Sequence, residues 1–202
     1  RGWSPFIKRC EDLLLASIGL LLLSPVMLVT AIAIKLDSKG PVLFRQKRFG
    51  YNDNLIRVFK FRSMYVEQTD LNAENQTTRQ DPRITRVGRI IRKTSIDELP
   101  QLFNVLLGNM SMVGPRPHAT ATKAAGIPFE EAVSEYSSRH RVKPGITGWA
   151  QINGYRGEPD TLFKIQKRVE YDLEYIAKWS VWLDLYIVFM TVPAVLSTKE
   201  VY

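Results

Sequence analysis

LLLASIGLLLLSPVMLVTAIAI, from Leu13 to Ile34, is a run of 22 residues without a charge. As an α-helix it would be about 33 Å long, enough to cross the hydrocarbon core of a bilayer, and a core helix of a soluble protein is rarely apolar all round. Ser24-Pro25 lies in the middle of the run, Lys8 and Arg9 precede it, and Lys35 and Lys39 follow. Basic flanks on both sides prefer the cytoplasmic face. Pro25 removes one backbone hydrogen bond and kinks a helix, and the Ser24 hydroxyl can take up the carbonyl so freed. The pattern favours a re-entrant helical hairpin within residues 1–40, broken at Ser24 and Pro25, that enters and leaves one leaflet. A kinked spanning helix competes with it. A secretory signal has Ala31-Ile32-Ala33 as its cleavage site, but the run is long for an h-region, Glu11 and Asp12 acidify its approach, and the continuation IKLDSKGPVLFRQKR is basic.

The whole chain has 202 residues, 45% hydrophobic and 24% charged, which suits one packed domain beyond residue 40 and excludes disordered, collagenous and repeat classes. Its net charge of +8 is concentrated in the first half and calls for an anionic partner: nucleic acid, an acidic membrane surface or a phosphorylated substrate. The single cysteine, Cys10, permits no internal disulfide and no thiolate metal cluster. The chain starts at Arg1 rather than Met, a start compatible with further sequence upstream.

Beyond Gly40-Pro41, β-like runs at Val42–Phe44 and Leu55–Phe61 flank the turn-rich Gly50–Asn54 and predict a basic hairpin. The polar stretch 67–80 reads as a loop or loosely held helix of the kind that serves as a lid. From Arg83, Ile84, Val87, Ile90 and Ile91 share one helical face and Arg86, Arg89 and Lys93 another, in about three turns. That helix is either a solvated face over a core or a contact to membrane or phosphate. After a break at Thr94-Ser95, Leu99 to Leu107 begin a second helix that ends near Gly108-Asn109. MSMVGPRP, Met110 to Pro117, is too rich in glycine and proline for a regular element and presents Arg116 between two prolines. Pro128 opens a further helix through Tyr136 and Arg139, a structured loop spans Lys143–Asp160 with room for one short strand, and a helix covers Thr161 to Lys178. The aromatic segment Trp179–Leu196, interrupted by Asp184 and Pro193, is a last core helix or an interfacial one. The fold class is therefore α+β, mainly helical with a small β-hairpin, with residues 41–202 as the domain that carries the chemistry.

No Walker A loop, GxGxxG, GxSxG or HExxH occurs, and His118 and His140 are too few for a usual zinc site. The main chemical signal is the acidic pair Asp97-Glu98, set among Arg83, Arg86, Arg89, Arg92, Lys93 and Arg116. Ser95-Ile96-Asp97-Glu98 fits a capping box, which needs no function at all. The same geometry can also bind phosphate at a helix N-terminus, keep a carboxylate ionised as a nucleophile toward phosphorus, and attract Mg²⁺ with a diphosphate.

KFRSM (Lys60–Met64), DPRITRVGRIIRKTSIDELPQLFNVLLGNMSMVGPRP (Asp81–Pro117) and KPGITGWAQINGYRG (Lys143–Gly157) together resemble the bacterial sugar transferase family, the monotopic polyprenyl-phosphate phosphoglycosyl transferases. The resemblance runs from about Lys8 to the C-terminus and includes the Ser-Pro break. It implies an enzyme of the bacterial inner membrane, with its catalytic domain and interfacial amphipathic helices on the cytoplasmic face. The reaction implied moves a sugar 1-phosphate from a UDP-sugar to undecaprenyl phosphate, releases UMP and begins a surface glycan such as an exopolysaccharide. By the same resemblance Asp97 is the nucleophile that forms a covalent phosphosugar, Glu98 with Asp97 holds Mg²⁺, and Arg116 binds phosphate. Lys60, Arg62 and Arg86 bind substrate phosphate too, or else hold anionic lipid headgroups or orient the hairpin. RHRVKPGITGWAQINGYRGE, Arg139–Glu158, looks more like members that transfer glucose 1-phosphate than those using galactose or acetylated amino sugars. The family leaves room for a homo-oligomer.

Three rivals are weighed beside it. A nucleic-acid binder explains the basic helix but not the apolar run. A non-enzymatic membrane adaptor uses the basic helix and the aromatic C-terminus. A phosphatase uses the same carboxylate but gives the sugar phosphate to water.

Overall fold

A computed structural model describes residues 4–68, 81–118, 123–124, 127–128, 133, 135–157 and 161–196. The apolar run forms the middle of one helix, α1 (Ser4–Asp37), about 51 Å long at 1.5 Å per residue. It continues through Pro25 because the local repair expected of the Ser-Pro pair is made: Ser24 Oγ donates to the carbonyl of Leu21, the group that Pro25 leaves without an N–H, at 3.0 Å. Only Asp12, Ala16, Thr30 and Ile34 of α1 are buried, a narrow stripe along one side. Leu14, Leu21, Leu22, Leu28, Val29 and Leu36 are exposed, Leu21 by 76%.

Both ends of α1 are tied to the rest of the protein. Near its start, Lys8 pairs with Asp184 at 2.6 Å, and Arg9 donates to the carbonyls of Val105 and Leu106 at 2.6 and 2.8 Å. Asp12 accepts from Ser111 Oγ and the Met112 N–H. At its end, Asp37 accepts the Val87 N–H at 3.0 Å.

The hairpin forms as expected: β1 (Leu43–Phe49) and β2 (Leu55–Phe61) pair antiparallel, Leu43 opposite Phe61 and Phe49 opposite Leu55. β1 runs five residues beyond the expected Phe44, since the basic RQKRF faces solvent on one side and loses nothing by pairing. The basic helix, α2 (Arg86–Lys93), is shorter than expected. Asp81 holds the Arg83 N–H and guanidinium in a turn, and Thr85 then caps the helix by accepting from the Gly88 N–H at 2.9 Å. Gly88 lets α2 lie on the backbone after β2, since a Cβ there would stand 2.0 Å from the Ser63 carbonyl oxygen.

A 3₁₀ turn (Ile96–Glu98) leads into α3 (Gln101–Leu106). The Met110–Pro117 stretch, expected to be irregular, holds β3 (Ser111–Val113), which pairs in parallel with the distant β6 (Gly145–Thr147), while β4 (Lys123–Ala124) pairs with β5 (Ile127–Pro128). Pro128 is the last residue of that strand pair, most of the helix expected after it lies outside the described residues, and Tyr136–Arg141 is 3₁₀. α4 (Trp149–Ile152) follows β6, then α5 (Leu162–Lys178), capped by Thr161, and α6 (Val181–Leu196). Asp184 does not interrupt α6. It is fully buried, accepting from Lys8, Tyr175 and Trp179. The lid expected at 67–80 lies almost wholly outside the described residues.

Ala16 of α1, Val58, Leu102, Val105 and Met110 form one core cluster, and Ile34, Phe61 and Ile91 another. On α6, Trp182 is 81% exposed, with Phe189 and Val192 also open. The described residues are thus mostly helical with a small antiparallel sheet, and α1 is the one described helix long and apolar enough to cross a membrane.

Candidate active site

The acidic pair sits on the 3₁₀ turn between α2 and α3, and the expected capping box is not formed. Ser95 takes a left-handed conformation (φ 56°) and its side chain caps nothing on the turn, because Glu98 is drawn elsewhere. Lys60, at the end of β2, donates to Glu98 Oε1 at 2.8 Å. Arg116, in the loop after β3, grips the same carboxylate with both Nη atoms, at 2.5 Å to Oε1 and 3.0 Å to Oε2. A bidentate arginine and a lysine on one carboxylate are strong charge-assisted contacts. Against the cost of burial, Arg116 and then Lys60 hold Glu98 well below the usual carboxylate range.

Asp97 differs from its neighbour. No side chain among the described residues hydrogen-bonds its carboxylate, which lies half-buried within reach of the charges of Lys60, Arg92 and Arg116. Burial pushes its pKa up to about 6, Lys60 opposes this, and Glu98 adds to it. The pair is therefore differentiated: Glu98 organises the cations, and Asp97 presents a desolvated carboxylate with its lone pairs uncommitted. A carboxylate in that state is a competent nucleophile.

Arg116 is held from behind. The Gly114 N–H donates to Thr147, the Gly145 N–H to Pro115, and Arg139 Nη2 to the Arg116 carbonyl at 2.7 Å. Gly145 is required there, since a Cβ would meet the Gly114 nitrogen at 2.1 Å.

Of the residues singled out in the sequence, the structure brings together Asp97, Glu98, Lys60 and Arg116. It uses Arg62 elsewhere. This residue is 4% exposed and its guanidinium donates to the carbonyls of Pro41, Lys39 and Ser38 at 2.7, 2.8 and 2.9 Å, tying the chain beyond α1 to the end of β2. Arg86, the first residue of α2, is exposed to solvent. Arg92, which the sequence set among the cations around the pair without giving it a role, acts on Asp97, and Arg156, which the sequence reading passed over, donates to Ser95 Oγ. Arg156 lies inside the quoted Lys143–Gly157 motif, so its neighbourhood was visible though its role was not.

For a hard divalent cation the donors are carboxylate oxygens, and among the described residues no cluster of three or more acidic, histidine or cysteine side chains forms a protein cage. Asp97 is free to bind, and Glu98 has three of its roughly four lone-pair directions taken. One or two carboxylates completed by substrate phosphate oxygens is the way Mg²⁺ is usually held, so the residues fit.

Residues 3–198 match the bacterial sugar transferase family. The chain is 56% identical, over 99% of its length, to the undecaprenyl-phosphate glucose phosphotransferase of Komagataeibacter xylinus, covering 38% of that protein. It is 54% identical, over its whole length, to the UDP-glucose:undecaprenyl-phosphate glucose-1-phosphate transferase of Escherichia coli K12, covering 42% of it. It is 49% identical over 95% of its length to the exopolysaccharide production protein PSS of Rhizobium leguminosarum, covering 96% of that protein. The chain spans about two fifths of the first two relatives. With a match over nearly all of its residues, this chain belongs to the bacterial sugar transferase family.

Proposed function

We propose that this chain transfers glucose 1-phosphate from UDP-glucose to undecaprenyl phosphate, releasing UMP, as the first membrane step of an exopolysaccharide or other surface glycan. The observation that carries the reading is the division of labour in the dyad: Glu98 is clamped by Lys60 and Arg116, and Asp97 is left bare beside them. The names of the relatives supply donor and acceptor.

In this reading a carboxylate oxygen of Asp97 attacks the β-phosphorus of UDP-glucose. The bond from that phosphorus to the bridging oxygen breaks, its electron pair leaves with UMP, and the glucose 1-phosphoryl group is held on Asp97 as an acyl phosphate. A phosphate oxygen of undecaprenyl phosphate then attacks the same phosphorus, and the Asp97 carboxylate leaves with the electron pair of its bond. Lys60, Arg92 and Arg116 oppose the negative charge that builds on the transferred group, in a site poor in water. Mg²⁺ would be held by Asp97 and Glu98 with the diphosphate oxygens, and would neutralise part of the phosphate charge.

The reading also places the chain in one leaflet of the bacterial inner membrane, with the catalytic part on the cytoplasmic face. In its support, both ends of α1 bind the same body, through Lys8, Arg9 and Asp12 at one end and Asp37 at the other. A helix crossing the bilayer would carry these ends to opposite faces. The exposed leucines of α1 and the exposed Trp182 and Phe189 of α6 would meet lipid, where a prenyl chain lies.

The test is UMP release from UDP-glucose with Mg²⁺ and undecaprenyl phosphate, together with label retained on the protein from β-³²P UDP-glucose. Wild type is expected to turn over and to carry hydroxylamine-labile label, and Asp97→Asn to do neither. Undiminished turnover in Asp97→Asn would overturn the covalent route. No turnover with any UDP-sugar would overturn the transferase.

A further inference from the structure

Besides Arg92 of α2, which acts on Asp97, three cationic side chains approach the dyad, and two are already committed: Lys60 and Arg116 share Glu98. The third is Arg156, half-buried in the loop after α4. Its guanidinium donates to the Ser95 hydroxyl, two residues before Asp97, and to the Ala194 carbonyl at 3.4 Å. Both acceptors are neutral, and among the described residues no carboxylate pairs with Arg156. Yet it stands close enough for the charges of Arg116, Glu98 and Asp97 to act on it.

The loop that carries Arg156 is fixed from below. Arg168 of α5, 3% exposed, donates to the carbonyls on either side of it, Tyr155 at 2.6 Å and Gly157. The other Nη of Arg168 meets His118 Nε2 at 2.7 Å, two residues beyond Arg116, and Arg139 holds the Arg116 carbonyl while pairing with Asp172 at 2.7 Å. One buried network thus aims both arginines at the dyad from opposite loops. It contains two guanidiniums and one carboxylate, and its surplus positive charge favours an anion above it.

We propose that Arg156 is a second substrate-binding arginine of this site, one that grips phosphoryl oxygens of the nucleoside diphosphate donor while Arg116 remains on Glu98. A hydroxyl and a carbonyl are weak partners for a guanidinium, and a phosphoryl group offers the bidentate charge-assisted contact that Arg156 lacks. The inference rests on the donor reading above and adds to it which group holds the diphosphate. Arg168 is the positioning residue of this arrangement.

The test is titration of detergent-solubilised wild type, Arg156→Met and Arg156→Lys with UDP and with uridine. Uridine carries no phosphate, so a purely structural role of Arg156 would weaken both ligands alike. For Arg156→Met, UDP affinity is expected to fall about 10- to 100-fold, as for loss of a charge-assisted hydrogen bond, with uridine binding unchanged. Arg156→Lys keeps the charge but not the fork and is expected to fall between, which keeps the test decisive if Arg156→Met does not fold. UDP affinity within about twofold of wild type in both variants, or a parallel loss for uridine, would overturn the proposal while leaving the transferase intact. No UDP binding by wild type would overturn both.

Discussion

Replacing Arg62 by glutamine separates two accounts of this residue, because the motif that contains it suggests a phosphate contact and the structure gives it three backbone carbonyls. The guanidinium bonds Pro41, Lys39 and Ser38 at 2.7 to 2.9 Å and is 4% exposed. Hydrogen bonds from a charged donor contribute about 1.5 to 3 kcal/mol each where buried. The loop after α1 is partly open to water, and water replaces some of what is lost, while the glutamine amide reaches one carbonyl at most. About 1 kcal/mol per contact, or about 3 kcal/mol in total, is a reasonable expectation. In a chain of this size that lowers the melting temperature by roughly 6 to 12 °C. The assay is thermal unfolding of Arg62→Gln in detergent micelles beside wild type, with KM for UDP-glucose measured well below both transitions. A large fall in melting temperature with KM nearly unchanged is expected. A melting temperature within about 1 °C of wild type, together with a KM raised about tenfold, would refute the structural account and restore the phosphate contact.

His118 gives a pH dependence. Burial, then Arg139 and Arg168, hold its pKa well below the usual histidine value, so the folded ring stays neutral while the unfolded ring takes up a proton below about 6.5. Its contribution to stability is present above that pH and is lost progressively as pH falls below it. Melting curves of His118→Gln at pH 7.5 and 5.5 should show a shallower acid loss than wild type, and parallel losses would contradict the neutral ring. Gly88→Ala places a Cβ 2.0 Å from the Ser63 carbonyl oxygen and must push α2 off that backbone. Overpacking of this kind costs about 1 to 3 kcal/mol or more, so a melting temperature equal to wild type would show that the contact yields easily. For topology, Ser4→Cys and Ser38→Cys in a Cys10→Ser background should label from the same side of sealed vesicles. Labelling from opposite sides would establish a crossing and sink the one-leaflet placement.

The buried charges explain why this fold can carry a polar site beside a membrane face. Asp12, Asp184, Arg139, Arg168 and Asp172 are each at most 3% exposed, and each has an ionic or hydrogen-bonded partner. Removing one side of such a pair leaves an uncompensated charge and costs far more than an exposed pair is worth. The same network that joins α1 to α6 and α5 to the site loops also fixes the register of the apolar helices against the polar body.

What the sequence determined by itself is local. An uncharged run of 22 residues can only be a helix that meets lipid or hides in a core, and alternation around a turn can only be a hairpin. The Asp97-Glu98 pair and Arg116 were legible because a recurrent motif holds them at short separations. Packing decided the rest. Glu98 meets Lys60 across 38 residues and Arg116 across 18, Arg156 meets Ser95 across 61, and β3 meets β6 across more than 30. No periodicity encodes such pairings. Arg168 and Asp172 lie on the buried side of α5, where a hydropathy pattern expects apolar residues, and only the presence of Arg139, His118 and the loop carbonyls makes their burial tolerable. Ser95 shows the same limit from the other side: its spacing to Glu98 suits a capping box, but two cations brought from distant strands and loops outcompete one backbone N–H for the carboxylate.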